Sequence, residues 1–85
     1  MEEHNPRLKA AILETVENQL KSGDPPETKE TLARLKADGF SDEDARVLLG
    51  QAVAVEIYCI LKEKKPFNHD RFVRNLNGLP SEPHE

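Results

Sequence analysis

The chain has 85 residues, 36% of them hydrophobic and 33% charged, and its formal net charge is −4 at pH 7. A chain of this length fits one small domain, because a single hydrophobic core rarely divides below about 100 residues. Its apolar residues are mostly aliphatic, and the β-branched ones are too few and too scattered for a sheet protein. We therefore expect an all-α fold.

The single cysteine and the first residues of the chain predict the cellular compartment of the protein. Cys59 alone excludes an intramolecular disulfide and argues for a reducing compartment. The opening MEEHNP has neither the basic nor the apolar region of a signal peptide, so we expect no secretion signal. The longest strongly apolar run, residues 52–61, contains Glu56 and is too short to span a bilayer. These features predict a cytoplasmic protein that does not enter membranes.

The first predicted helix covers residues 6–22. Asn5 suits the N-cap, and Pro6 suits the first helical position, where proline's missing N–H is not needed. Gly23 then ends the helix. The apolar residues that recur at steps of three and four are Leu8, Ala11, Ile12, Val16 and Leu20.

The second predicted helix covers residues 25–38. Asp24 and Glu27 have the spacing of a capping box, with two prolines in the first turn. Leu32 and Leu35 give the helix a buried face. Gly39 is the expected left-handed residue at its end.

The third and fourth helices are predicted over 42–64 and 69–76. Ser41 caps the third helix and Pro66 prevents its continuation. Asn68 caps the fourth, with Phe67 and Phe72 packed together as a hydrophobic staple. The sequence thus predicts a small four-helix, single-core bundle with a long central third helix. Its domain would be residues 1–80, followed by a disordered tail at 81–85.

The third helix is apolar on nearly every side, apart from a narrow polar stripe. Such a helix is either the central rod of the bundle or has one flank open to a partner. The flank beside the polar stripe is the candidate interaction surface, and we expect it to support association, most simply as a homodimer. Its residues are Val47, Ala54, Val55 and Tyr58.

Glu56 is a candidate buried acid. It lies about 130° from the polar stripe, on the apolar side of the helix. A carboxylate there needs a partner or must take up a proton. It is either a functional acid or a structural ion pair, for which Arg34 is one candidate partner.

The sequence has no pattern that predicts catalysis, a metal or a cofactor. Its three histidines are scattered, and Cys59 lies among aliphatic residues as a small core residue would. The serines occupy helix boundaries, and the isolated glycines form no phosphate-binding loop. We therefore expect a protein that is not an enzyme.

Residues 32–49 have the outline of a helix-turn-helix. In the DNA-binding form the second helix would enter the major groove by its N-terminus, and Asp42, Glu43 and Asp44 would repel phosphates there. Nucleic-acid binding is therefore not expected through this motif. The same stretch resembles the G-F-S-x-x-x-A start of ubiquitin-associated-type three-helix domains, through Gly39-Phe40-Ser41 and Ala45.

The whole chain resembles a group of small bacterial helical domains to which no activity is assigned. The resemblance supports the helical fold and implies no activity. Some longer members of this group have histidines at positions that match Lys9 and Leu13, and the absence of histidine there argues against an inherited metal role. The matching features are Asn5-Pro6, Glu17-Asn18-Gln19-Leu20, Asp24-Pro25-Pro26-Glu27-Thr28, Arg34-Leu35, Gly39-Phe40-Ser41 with Ala45, and Leu76 with Leu79-Pro80.

The favoured function is a non-catalytic protein-interaction or assembly module whose partner the sequence does not name. The alternative is a nucleic-acid-associated or regulatory protein that uses a basic region near the C-terminus, where residues 62–76 have a net charge of +3. That region lacks aromatic stacking platforms, because both of its phenylalanines belong to the staple. The basic residues are Lys62, Lys64, Lys65, Arg71 and Arg74.

Overall fold

A computed structural model describes residues 6–84. The predicted N-cap Asn5 lies outside the described residues. Four helices occupy this part of the chain, and it contains no β-strand, which confirms the all-α bundle. The helices are α1 (Pro6–Ser22), α2 (Pro26–Ala37), α3 (Asp42–Glu63) and α4 (His69–Gly78).

Side-chain caps begin α3 and α4 as the sequence predicts. The Ser41 hydroxyl accepts a hydrogen bond of 3.0 Å from the Asp44 N–H. The Asn68 side-chain amide oxygen accepts from the Arg71 N–H, also at 3.0 Å. Each cap satisfies one of the N–H groups that the first helical turn leaves without a partner.

The start of α2 differs from the predicted capping box. Its N-cap is Pro25 in an extended conformation, and no side chain caps it. The Asp24 backbone N–H instead donates to the Ser22 hydroxyl at 3.2 Å. In the predicted box Glu27 would accept from this same Asp24 N–H, which Ser22 binds instead.

The helix ends follow from local chemistry. Gly39 has φ +107°, and the Phe40 N–H donates to the Leu35 carbonyl at 3.1 Å, so the chain folds back over the end of α2. Lys64 ends α3 in the left-handed conformation before Pro66. The rings of Phe67 and Phe72 meet edge to face, with centroids 5.1 Å apart, as a hydrophobic staple requires.

Helix α3 is the structural centre of the bundle. It packs against each of the other three helices, whereas α1 and α4 make no contact with each other. Its 22 residues extend about 33 Å, close to the molecule's longest dimension of 34 Å, so both of its ends lie at the surface. The core that surrounds its inner side consists of Val16, Leu35, Ala45, Leu49, Ala52, Val53, Phe72, Leu76 and Leu79.

The segment after α4 returns to the body of the protein. The Asn75 side chain donates to the His84 carbonyl at 2.7 Å and accepts from the His84 N–H at 3.0 Å. Leu79 is buried, and Pro83 is half-buried. The sequence predicts a disordered tail over 81–85; within it, the Asn75 amide binds both backbone groups of His84.

Candidate functional site

One side of α3 carries five residues at alternating steps of four and three, which is the spacing of a coiled-coil seam. Val47 and Tyr58 are each 48% exposed, and Leu61 is 65% exposed. Gln51 is also exposed, and Ala54 is half-buried. We call this set the outer stripe: Val47, Gln51, Ala54, Tyr58 and Leu61.

The packing of the other helices explains why the outer stripe remains open. Gly50 lets α1 approach closely on one side, because a Cβ atom there would lie 3.2 Å from the Ile12 Cγ2. Helix α4 is joined to a different side of α3, where Asn68 and Arg71 contact Glu56. The residues of the outer stripe are half-buried or exposed.

The structure places three of the four residues predicted as an interaction surface on the outer stripe: Val47, Ala54 and Tyr58. Val55 lies beside the stripe and, together with Ala54, lines an open groove of about 550 Å³. Sequence reasoning missed Leu61, which is seven residues from Ala54 and so belongs to the same seam. The groove is lined by Leu48, Gln51, Ala54, Val55, Pro80, Glu82 and Pro83.

Glu56 lies on the opposite side of α3 and is fully buried. Its Oε2 accepts from the Arg71 Nε at 2.6 Å, and its Oε1 accepts from the Arg71 Nη2 at 3.0 Å. Oε1 also accepts from the Asn68 backbone N–H at 2.8 Å. This bidentate pair ties the middle of α3 to the start of α4.

The electrostatics of this pair keep Glu56 ionised. Burial raises the pKa of Glu56, but the hydrogen bonds from Arg71 and from the Asn68 N–H outweigh it, and the pKa of Glu56 lies below its usual range. The same contact raises the pKa of Arg71. Both carboxylate oxygens are occupied, so Glu56 fits a structural ion pair and does not fit a proton donor.

Arg34, the partner that the sequence suggested for Glu56, is bound elsewhere. Its Nη2 donates to the Leu76 carbonyl at 3.0 Å, and its Nη1 lies 3.7 Å from the Asp38 carboxylate. Arg34 thus holds the end of α4, whereas Glu56 holds its beginning. The sequence places Glu56 on the buried side of α3, and a carboxylate there needs a cation from a packed helix. It does not show which arginine supplies that cation.

The predicted basic region does not form one continuous set of available cations. Arg71 is committed to Glu56, and its side chain is only 16% exposed. The Lys62 Nζ lies 5.1 Å from the centroid of the Tyr58 ring. Lys65 lies 4.0 Å from Glu63. Lys64 and Arg74 are both exposed.

The acidic start of α3 contains two different kinds of carboxylate. Asp42 accepts from the Arg46 Nε at 2.6 Å and from the Lys36 Nζ at 3.3 Å, and these bonds hold the pKa of Asp42 below its usual range. Arg46 also pairs with Glu17 on α1. Glu43 and Asp44 are exposed, and their carboxylates form no ion pair within residues 6–84.

Other chemistry is not brought together by the fold. Across residues 6–84, no group of three or more His, Cys, Asp or Glu side chains is placed to hold a metal ion. Cys59 is buried as a free thiol. None of the four helices is both long enough and apolar enough to cross a bilayer.

Comparisons with protein-family models, with curated proteins and with solved structures find no match to this chain. The chemistry of the described residues is therefore the basis for assigning a function. The outer stripe is the part of α3 whose large apolar side chains the bundle leaves exposed.

Proposed function

We propose that this protein is a non-catalytic interaction or assembly module that binds a protein partner through the outer stripe of α3. The proposed compartment is the cytoplasm, which the single cysteine favours. In this function the bundle is a scaffold, and α3 presents its seam to the partner.

The observation that carries the proposal is the position of the exposed apolar side chains. Three of the six large exposed ones in residues 6–84 lie on the outer stripe. Contiguous exposed apolar surface is uncommon on monomers and typically marks an interaction site. The other three do not share this seam; they are Leu8, Ile60 and Phe67.

Two features favour binding over chemistry. Glu56, the one fully buried carboxylate among the described residues, uses both of its oxygens to hold Arg71 and Asn68. Cys59 is enclosed within the bundle, where a substrate has no access to its sulfur. The surface that remains available is apolar and suits a helix of a partner protein.

Site-specific photo-crosslinking in cells tests this function. A photoreactive amino acid replaces Leu61 on the outer stripe, and a matched control replaces Ala33, which is exposed on α2. We expect a discrete protein adduct from position 61 and none from position 33. Equal adducts from both positions, or none from position 61, would overturn the proposal.

The nucleic-acid alternative stays a prediction from the basic residues, and one of them, Arg71, is already paired within the fold. A titration with mixed oligonucleotides at low and high salt separates the two functions. Binding to phosphates weakens steeply as salt rises, whereas apolar docking does not. We expect no saturable binding at low salt, and tight salt-sensitive binding would favour the alternative.

A further inference from the structure

The two ends of the outer stripe have opposite charge. At its start, Glu43 and Asp44 lie on either side of Val47, and neither has an ion-pair partner in the described residues. At its end, Lys62 lies beside Tyr58 and Leu61, with Lys64 and Lys65 just beyond. The stripe is therefore an apolar seam with an acidic end and a basic end.

We infer that the partner of the outer stripe is a second copy of this chain, paired with α3 antiparallel to α3. This inference rests on the proposed function and names its partner. Antiparallel pairing about a two-fold axis sets the acidic end of each copy beside the basic end of the other. Parallel pairing would place acidic ends together and basic ends together, which is repulsive.

The positions of Asp44 and Lys62 on α3 specify which residues face each other in the antiparallel pair. They are 18 residues apart, which is five full helical turns, so they lie on the same edge of the stripe. A two-fold axis perpendicular to α3 brings matching edges of the two copies together. Asp44 of each copy then faces Lys62 of the other, and the pair occurs twice.

The apolar residues suit the same arrangement. Half-buried Ala54 lies at the middle of the stripe, where a small side chain lets two helix backbones approach. Val47 then lies beside Tyr58 and Leu61 of the second copy. One helix against one helix is smaller than the roughly 800 Å² per partner of a standard interface, so we expect a dissociation constant on the order of 10–100 μM.

Mixed-label NMR tests both the partner and its orientation. Within one chain, Val47 is about 16 Å along the helix from Tyr58 and about 21 Å from Leu61. Both distances are far beyond the reach of an NOE. In a dimer of labelled and unlabelled chains at millimolar concentration, we expect intermolecular NOEs from the Val47 methyls to the Tyr58 ring. Val47-to-Val47 contacts without them would overturn the antiparallel arrangement.

Charge reversal gives an independent test by sedimentation equilibrium. We expect Asp44→Lys and Lys62→Glu each to weaken dimerisation at least about tenfold, because each places like charges together twice. An equimolar mixture of the two variants should recover the wild-type affinity, since its heterodimer has opposite charges at both pairs. Glu30→Lys on α2 makes the same charge change away from the stripe and is the matched control. No recovery in the mixture would overturn the Asp44–Lys62 pairing.

Failure of this inference is distinguishable from failure of the proposed function. If the purified wild-type chain sediments as a 9.6 kDa monomer at millimolar concentration, the second copy is not the partner. An adduct from position 61 in cells would then still support a different protein partner. A circular-dichroism melt of each variant at micromolar concentration, where the chain is monomeric, separates lost dimerisation from lost folding.

Discussion

The two sides of α3 differ in burial: the inner side, which contains Glu56, is buried, and the outer side, which contains the outer stripe, is exposed. The inner side contains a charged residue, Glu56, and is fully buried. The outer side has the large apolar residues Val47, Tyr58 and Leu61, and it remains exposed. Hydrophobicity alone therefore does not decide which side of α3 is covered, because the buried side contains a charge and the exposed side contains large apolar residues.

The difference shows that the groups supplied by neighbouring helices decide which side of an apolar helix is buried. Glu56 is buried because α4 supplies the Arg71 guanidinium and the Asn68 N–H to its carboxylate. On the outer stripe, Val47 and Tyr58 are each 48% exposed and Leu61 is 65% exposed. A buried charge is compatible with a closed core when it has a bidentate partner. An exposed apolar seam typically marks a surface to which a second chain binds.

The largest expected effect comes from removing the partner of Glu56. Arg71→Met keeps most of the apolar stem but leaves the carboxylate buried without its cation. Loss of one partner of a buried pair costs about 3–5 kcal/mol. We expect a loss of that size in the free energy of unfolding, measured by urea denaturation at pH 7.

Arg74→Met, one turn further along α4, is the matched control for this loss. Arg74 is exposed, so we expect the control to stay within about 0.5 kcal/mol of wild type. If Arg71→Met is as stable as Arg74→Met, the ion pair does not hold α4 to α3. The inner side would then be closed by its apolar contacts alone.

A pair of identical substitutions compares the two sides of α3 directly. Leu49 is fully buried, and Leu61 is 65% exposed. Leu49→Ala leaves a cavity, so we expect it to lower the free energy of unfolding by about 2–5 kcal/mol. Leu61→Ala should lower it by less than about 0.5 kcal/mol, because it empties no packed volume. Thermal melts at low concentration check both, and equal losses would mean that the outer side is covered.

The sequence predicts the elements better than it predicts the contacts between them. The caps Ser41 and Asn68, the left-handed Gly39 and the Phe67–Phe72 staple all depend on neighbours in the chain, and all are confirmed. The capping box at Asp24 was wrong because Pro25 takes the N-cap position of α2 in its place. Local rules therefore predict this fold closely, and they fail at the start of α2, where Pro25 is the N-cap and the Asp24 N–H is bound to Ser22.

The contacts of Glu56 and the exposure of the outer stripe depend on how the helices pack, and the sequence constrains packing less than it constrains the helices themselves. The polar stripe and apolar periodicity placed Glu56 on the buried side of α3, but they could not choose between Arg34 and Arg71. That choice depends on which end of α4 crosses α3, a property of the whole bundle. The position of Leu61 on the outer stripe was readable from its seven-residue spacing, whereas its exposure depended on where α1 and α4 pack.

The pH dependence of stability should reveal the ionised state of the inner side. The native pKa of Glu56 is lowered, so its stabilising contribution is full above its unfolded pKa of about 4.3 and is lost as pH falls through the native value. The native pKa of Asp42 is also lowered. We therefore expect wild-type stability to fall below about pH 4.5, with a smaller fall in Glu56→Gln; Asp42→Asn measures the other contribution.

Arg71→Met should reverse the sign of this dependence. Burial is then opposed only by the hydrogen bond from the Asn68 N–H, and we expect it to raise the pKa of Glu56 because the charged form has lost its cation. A group with a raised native pKa takes up a proton in the folded state first, so stability should increase as pH falls from 7 towards 5. Urea denaturation across this range checks the sign, and a fall in stability would show that another cation replaces Arg71.

A smaller effect separates the cap of α4 from its link to Glu56. Asn68→Ala removes the side chain that caps the Arg71 N–H but keeps the backbone N–H that donates to Glu56. We expect a loss of about 1 kcal/mol, the usual value for an N-cap. Chemical denaturation measures it, with exposed Asn77→Ala as the control on the same helix. A loss as large as that of Arg71→Met would mean that the cap also positions the ion pair.

The smallest expected effect lies on the outer side, between Lys62 and Tyr58. The Lys62 Nζ is 5.1 Å from the Tyr58 ring centroid, within the range of a cation–π contact. Both residues are exposed, so a double-mutant cycle of Lys62→Gln and Tyr58→Leu should give a coupling energy of about 0.5 kcal/mol or less. Upfield shifts of the Lys62 side-chain protons, lost in Tyr58→Leu, would show the contact in solution. A coupling above about 1 kcal/mol would mean that Lys62 closes part of the stripe, and the outer side would then be less open than its exposed residues indicate.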